Sequence, residues 1–195
     1  MHETSSGLLY DMRLLSEFCR EREMLLIVDA VSAFIAEEID MAALGADVVL
    51  TGSQKALACH PGISLMALSP RGQERVAENP EVCSYLSLKE ALRNGERGQT
   101  PWTPAVNTLL EVNARLRSIE ARGIDAERAE IASRAKAVRD ALTALHNAGL
   151  KLAVGSSSKN AAYILEQLDA NRYFDAVCDG TMTVSYTPLR AHETK

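Results

Sequence analysis

At 195 residues with a net charge of −5, the chain has no basic excess with which to neutralise phosphates, which argues against nucleic acid and anionic membrane as partners. Its composition, 47% apolar and 24% charged, is that of an ordinary globular protein with small-molecule substrates, and no run reaches the roughly 20 apolar residues of a membrane helix. Without a basic stretch leading into an apolar one at the N-terminus, the expected location is the cytoplasm.

Apolar residues recur at helical spacing over 8–23 (Leu8, Met12, Leu15, Phe18, Cys19) and predict a helix. The continuous apolar run 24–28 then predicts a buried strand, 41–44 a helical turn broken by Gly45, 47–50 a second buried strand ending at Thr51-Gly52, and 63–68 a third. Continuous apolar strands separated by helices or short turns imply an α/β sheet, mostly parallel and covered on both faces, with ligands gathering at strand ends. After Pro70 the chain turns polar, with helical patches at 73–77 and 87–94. Pro101 and Pro104 punctuate a loop, and two long helices follow at 105–121 and about 125–146, of the kind that connects domains. From Leu150 the pattern restarts as strand 150–154, turn 155–158, helix 160–168 and strand 173–178, one βαβ unit.

Cys19, Cys59, Cys83 and Cys178 stand apart with no CxxC or CxxH pairing, so no metal and no disulfide framework is expected. Asp29 ends one predicted strand and Lys55 lies just past another, so both side chains can reach one crevice beside the sheet. A lysine amine can bond to an aldehyde cofactor while a carboxylate keeps a pyridine nitrogen protonated; the plain alternative is a surface lysine and a capping aspartate. Ser156, Ser157 and Ser158 present hydroxyls and amides at a strand end, suited either to a phosphate oxygen or to capping the helix. His60 reads as positional, Trp102 as interface packing, and Arg71, Arg93 and Arg97 as a solvated face.

Five segments occur in order: His2-Glu3-Thr4-Ser5-Ser6-Gly7, Val28-Asp29-Ala30-Val31-Ser32, Thr51-Gly52-Ser53-Gln54-Lys55-Ala56-Leu57, Pro61-Gly62-Ile63-Ser64 and Gln99-Thr100-Pro101-Trp102-Thr103-Pro104-Ala105-Val106. Over about residues 1–142 the chain thereby resembles the class V pyridoxal-phosphate aminotransferases, and most of all their alanine–glyoxylate and 2-aminoethylphosphonate–pyruvate group. The resemblance implies a partial fold-type I large domain over 1–104 and connector helices over 105–142. It further implies amino transfer between an amino acid and a 2-oxo acid, pyridoxal 5'-phosphate as cofactor, and a homodimer with shared sites. By the same resemblance Lys55 carries the cofactor and shuttles the proton, Asp29 partners the pyridinium, Thr4 bonds the ring oxygen, and Val31 packs on the ring. Gln54 contacts the cofactor phosphate, and Thr103, with Thr100, reaches that of the neighbouring subunit. The family's phosphate loop, its ring-stacking aromatic and its substrate-gripping arginine have no counterpart in these residues, so the chain is expected to be inactive or nearly so.

Residues 143–183, with Gly155-Ser156-Ser157-Ser158-Lys159-Asn160-Ala161, resemble the β-phosphoglucomutase branch of the haloacid-dehalogenase phosphotransferases. That likeness implies that Ser156 and the Ser157 amide hold a phosphoryl group near Lys159 and Asn160, in a fragment without the family's nucleophile or magnesium ligands. Residues 184–195 resemble a translated sequencing adapter, with Pro188 where that translation has His. Together these imply a chimeric gene joined near 142–145.

Overall fold

The computed structural model describes residues 1–4 and 6–182, so the adapter-like stretch 184–195 lies outside the described residues. Contacts divide the chain into two compact units, one of Met1 with Tyr10–Glu130 and one of His2–Leu9 with Ile131–Lys195.

In the second unit, β1 (His2–Glu3) and β2 (Leu8–Leu9) pair antiparallel, Glu3 opposite Leu8. Gly7 turns the chain at φ 68°, a left-handed value natural to glycine, and donates its N–H to the Glu3 carbonyl at 2.8 Å. That turn draws Leu8 and Leu9 out of the expected helix, which therefore starts later. In the first unit α1 (Met12–Glu21) begins where the Asp11 carboxylate caps it, accepting the Arg13 N–H at 2.9 Å.

The first unit's sheet has the order β3 (Ile27–Asp29), β4 (Val48–Gly52), β5 (Ser64–Leu68), with α2 (Met41–Leu44) between the first two strands. β3 and β4 are parallel, Asp29 opposite Leu50, while β5 runs antiparallel to β4, Gly52 opposite Ser64. Residues 53–63 contain no helix to carry a parallel crossover, so the chain folds straight back. Alternate residues of β3 point to opposite faces. Val28 and Ala30 enter a core with Met1, Leu26, Ala33 and Ala46, flanked by Met12, Phe34, Met41 and Val49. Ile27, on the other face, is 62% exposed and Met66 45%. Cover is thus thinner on the face bearing Ile27 and Met66, where Val48, Leu50 and Leu68 are only half-buried and the β3–β4 crossover carries only the single turn α2.

Beyond β5, α3 (Pro70–Glu78) and α4 (Leu88–Gly95) start at capping serines: Ser69 accepts the Gly72 N–H and Ser87 the Glu90 N–H. α5 (Val106–Arg122) and α6 (Ile124–Asn147) follow, meeting at Gly123, where φ is 84°. The boundary between the compact units falls within α6, after Glu130, and α6 is unbroken through 142–145, where the sequence suggests a join.

Near that joint Glu127 is 3% exposed, gripped by the Arg115 guanidinium through two bonds and by Arg122, whose Nη1 is 3.0 Å away. Hydrogen bonds from Arg115, then the charges of Arg115 and Arg122, hold its carboxyl below the ordinary glutamate value of 4.5. A folded pKa below the unfolded one stabilises the native state above the unfolded value, and this contribution is lost as pH falls through the folded value. Thermal unfolding midpoints followed from about pH 6 down to about pH 3 should therefore fall more steeply for wild type than for Glu127→Gln. Parallel curves would contradict this linkage.

The second unit closes with β6 (Ala153–Gly155), α7 (Ala161–Gln167) and β7 (Ala176–Cys178), the two strands parallel with Val154 opposite Val177. Lys151 donates to Asp175 Oδ1 at 2.7 Å and the Leu152 N–H to Oδ2 at 3.0 Å, fastening the entries of both strands. No helix among the described residues is long and apolar enough to cross a membrane.

Candidate functional site

β3 and β4 lie side by side and run the same way, so the residues leaving their C-terminal ends emerge at one edge of the sheet. Asp29 is the last residue of β3, and Lys55 follows β4 by one short step through Ser53 and Gln54. The Asp29 carboxylate folds over the strand end, its Oδ1 accepting the Val31 N–H at 2.9 Å, which fixes the carboxylate and leaves Val31 half-buried beside it. The Ala30 N–H donates to the Leu50 carbonyl at 2.9 Å and carries the pairing one residue past Asp29. Asp29, Gln54 and Lys55 are exposed, and among the described residues the Lys55 ammonium has no hydrogen-bond or ion-pair partner.

The Lys55 loop is held from below by Ser53, which is fully buried. Its N–H donates to the Ile63 carbonyl at 3.0 Å, its hydroxyl to the His60 carbonyl at 2.7 Å, and its carbonyl accepts the Cys59 N–H at 3.1 Å. Leu57 is sunk beside it, and the Ala58 N–H donates to the Lys55 carbonyl at 2.8 Å. Gln54 lies back over Gly52, where a Cβ would come within 2.6 Å of its amide oxygen. The sequence reading gave Ser53 no role. The available signal was a small hydroxyl residue wedged between a strand-ending glycine and two long polar side chains.

On the far limb of the loop, the Glu111 carboxylate of α5 accepts the His60 N–H at 3.0 Å and sits 2.8 and 2.9 Å from His60 Nδ1. These bonds, the backbone one foremost, hold the Glu111 carboxyl below its ordinary value. Burial, followed by the Glu111 charge, pushes the neighbouring Cys59 thiol up.

Thr103 is exposed in the loop before α5, and Thr100 donates its hydroxyl to the Trp102 carbonyl at 2.7 Å. Trp102 stacks obliquely on Tyr85 at 5.8 Å and donates its indole N–H to the Tyr85 carbonyl at 3.2 Å, so this ring packs within the chain. Thr4 belongs to the second compact unit, between β1 and β2. The structure thus gathers Asp29, Val31, Gln54 and Lys55 at one sheet edge, with Thr103 elsewhere in the same unit.

In the second unit, the turn after β6 is closed by its own serines. Ser156 Oγ accepts the Ser158 N–H at 3.1 Å, and Ser158 Oγ accepts the Asn160 N–H at 3.2 Å. Gly180 packs so tightly that a Cβ would lie 2.2 Å from the Ser157 carbonyl oxygen. Lys159 and Asn160 are exposed at the start of α7. Among the described residues, no group of three or more His, Cys, Asp or Glu side chains could hold a metal.

An exposed primary amine and a fixed carboxylate at one sheet edge have the chemistry that an aldehyde-bearing, protonatable ring calls for. The family described as aminotransferase class V matches residues 1–166, running through the stretch that the sequence reading gave to a second family. The soluble hydrogenase 42 kDa subunit of Anabaena cylindrica is 31% identical over 147 residues, 74% of this chain and 38% of its own. The serine–glyoxylate aminotransferase of Arabidopsis thaliana is 31% identical over 148 residues, 73% of this chain and 36% of its own. The crystal structure of pyridoxamine–pyruvate aminotransferase from Mesorhizobium loti superposes with a TM-score of 0.66 at 30% identity, covering 74% of this chain and 38% of that one. The chain therefore spans well under half the length of the curated relatives it matches.

Proposed function

The chain belongs to the class V aminotransferases, and on that premise we propose that Lys55 and Asp29 are the residues with which it holds pyridoxal 5'-phosphate for amino transfer to a 2-oxo acid. The family depends on this cofactor, which when bound supplies an aldehyde and an electron-withdrawing ring. The observation that carries the reading is the departure of Asp29 and of the Lys55 loop from the same edge of two adjacent parallel strands. Lys55 would hold the cofactor through its amine and, once free of it, would move a proton at its Nζ. Asp29, its Oδ1 occupied by the Val31 N–H, offers Oδ2 to a ring nitrogen and favours that nitrogen's protonated form. Val31 lines the ring, Gln54 serves the phosphate, and Thr103 serves that of the neighbouring subunit.

The names of the relatives favour glyoxylate or pyruvate as the class of acceptor. A homodimer with shared sites and a cytoplasmic location belong to the same reading. We expect cofactor attachment at Lys55 from these residues. The test is to incubate the purified chain with pyridoxal phosphate, reduce with borohydride and map peptides. Cofactor mass on Lys55 supports the reading, and an unmodified Lys55 at saturating cofactor overturns it.

The parallel pairing of β6 with β7 favours a second reading for residues 143–183, that of a phosphate-holding βαβ fragment centred on Ser156, Ser157, Lys159 and Asn160. Calorimetric titration with inorganic phosphate should then show binding that disappears in Ser156→Ala, and no heat from the wild type would sink it. If the two segments come from different genes, independent genomic reads across the codons for 142–145 will not be continuous.

A further inference from the structure

We propose that Glu111 is a positioning residue for Lys55, acting through His60, an inference that rests on the cofactor reading of Lys55. Lys55 sits in a loop, 53–63, without helix or strand to hold it. One limb is anchored by buried Ser53 and Leu57. The other limb ends at His60, which two partners hold: its carbonyl accepts from Ser53 Oγ, while its N–H and Nδ1 both face the Glu111 carboxylate. Two donors from one residue on one carboxylate fix orientation as well as position.

Glu111 comes from the second turn of α5, so the clasp ties the loop to a helix of 17 residues, a far stiffer body. The His60 bonds hold the Glu111 carboxyl below its ordinary value, so the accepting group of the clasp is a carboxylate. The two side chains are 79% and 40% exposed, and exposed pairs of this kind contribute little to global stability. Removing Glu111 should therefore loosen the loop without unfolding the protein, and that separates positioning from structure. A lysine amine held slightly out of place loses much of the advantage of a fixed geometry.

The experiment compares full-length wild type, Glu111→Ala and Glu111→Gln. It reads the rate of borohydride-trapped pyridoxal phosphate on Lys55, hydrogen exchange of the 53–63 peptide, and the melting temperature. Expected for Glu111→Ala is trapping slowed on the order of tenfold, exchange faster by about the same factor, and an unchanged melting temperature. Glu111→Gln, whose amide oxygen still accepts the His60 N–H, should recover to within about threefold of wild type. Wild-type trapping and exchange in Glu111→Ala overturn the proposal, as does a glutamine variant as slow as the alanine one. Should wild-type Lys55 take no cofactor, the cofactor reading fails by itself. Loop exchange then decides the clasp: faster in Glu111→Ala upholds it, and unchanged overturns it.

Discussion

Lys55→Ala is expected to abolish borohydride-stable attachment of pyridoxal phosphate, with labelling down by at least about 10²-fold rather than merely weakened. The reason is the placement of Lys55. Lys136 donates to Asp140 at 2.6 Å and Lys151 to Asp175 at 2.7 Å, and the Asp175 bond and charge raise the Lys151 pKa. A protonated amine has no lone pair for an aldehyde carbon. Lys55 has no such partner among the described residues and leaves the sheet at the edge where β3 ends in the Asp29 carboxylate. Lys55→Arg should be as dead as the alanine variant, since a guanidinium keeps its proton and cannot replace the amine. Peptide mapping of wild type and both variants at equal cofactor concentration checks this. Label spread evenly over the lysines, and unchanged in Lys55→Ala, would show that the attachment is adventitious.

The strand ends that carry Asp29 and Lys55 were legible because continuous apolar runs stop where strands stop, and the polar residue after each run has one edge of the sheet to emerge from. Much of the rest depends on contacts between residues remote in sequence. Leu8 and Leu9 fit a helical period, but the positive φ of Gly7 and pairing with His2 and Glu3 outweigh that local preference. Residues 24–26 are as apolar as the strand they precede, yet the Met24 N–H closes α1 by donating to the Cys19 carbonyl at 2.9 Å, and β3 starts only at Ile27. His60 read as merely positional. It is positional, but its partner Glu111 lies 51 residues away and no spacing rule joins them. Ser53 shows in sequence only as a small hydroxyl residue after a strand-ending glycine, and its burial comes from the His60 and Ile63 limb folding back over it. The thinly covered face bearing Ile27 is invisible in composition, since an apolar residue reads the same covered or bare.

Asp47→Ala should cost the first unit about 2–4 kcal/mol, a large share of the roughly 5–15 kcal/mol that keeps a domain folded. Asp47 is 3% exposed at the entry to β4 and joins three strands. Its Oδ2 accepts the Leu26 N–H at 3.0 Å ahead of β3. Its Oδ1 accepts the Ser69 hydroxyl at 3.0 Å just after β5. Arg71 Nη1 is 3.7 Å from Oδ2. Truncation leaves the buried Leu26 N–H without a partner and opens a gap, whereas half-exposed Arg71 can turn to water, so Arg71→Ala should cost under about 1 kcal/mol. Asp47→Asn keeps an oxygen for Leu26 and should lose only about 1–2 kcal/mol, since the Ser69 hydroxyl, already accepting the Gly72 N–H, can accept from the new amide. Urea unfolding at neutral pH orders the three variants, and alanine and arginine-site losses of equal size would refute the network. Because Asp47 enters β4 at the end opposite Lys55, Asp47→Asn should leave cofactor trapping on Lys55 at its wild-type level. Loss of trapping there would mean that the sheet edge bearing Asp29 and Lys55 is not rigid enough to isolate the chemistry from the fold's far end.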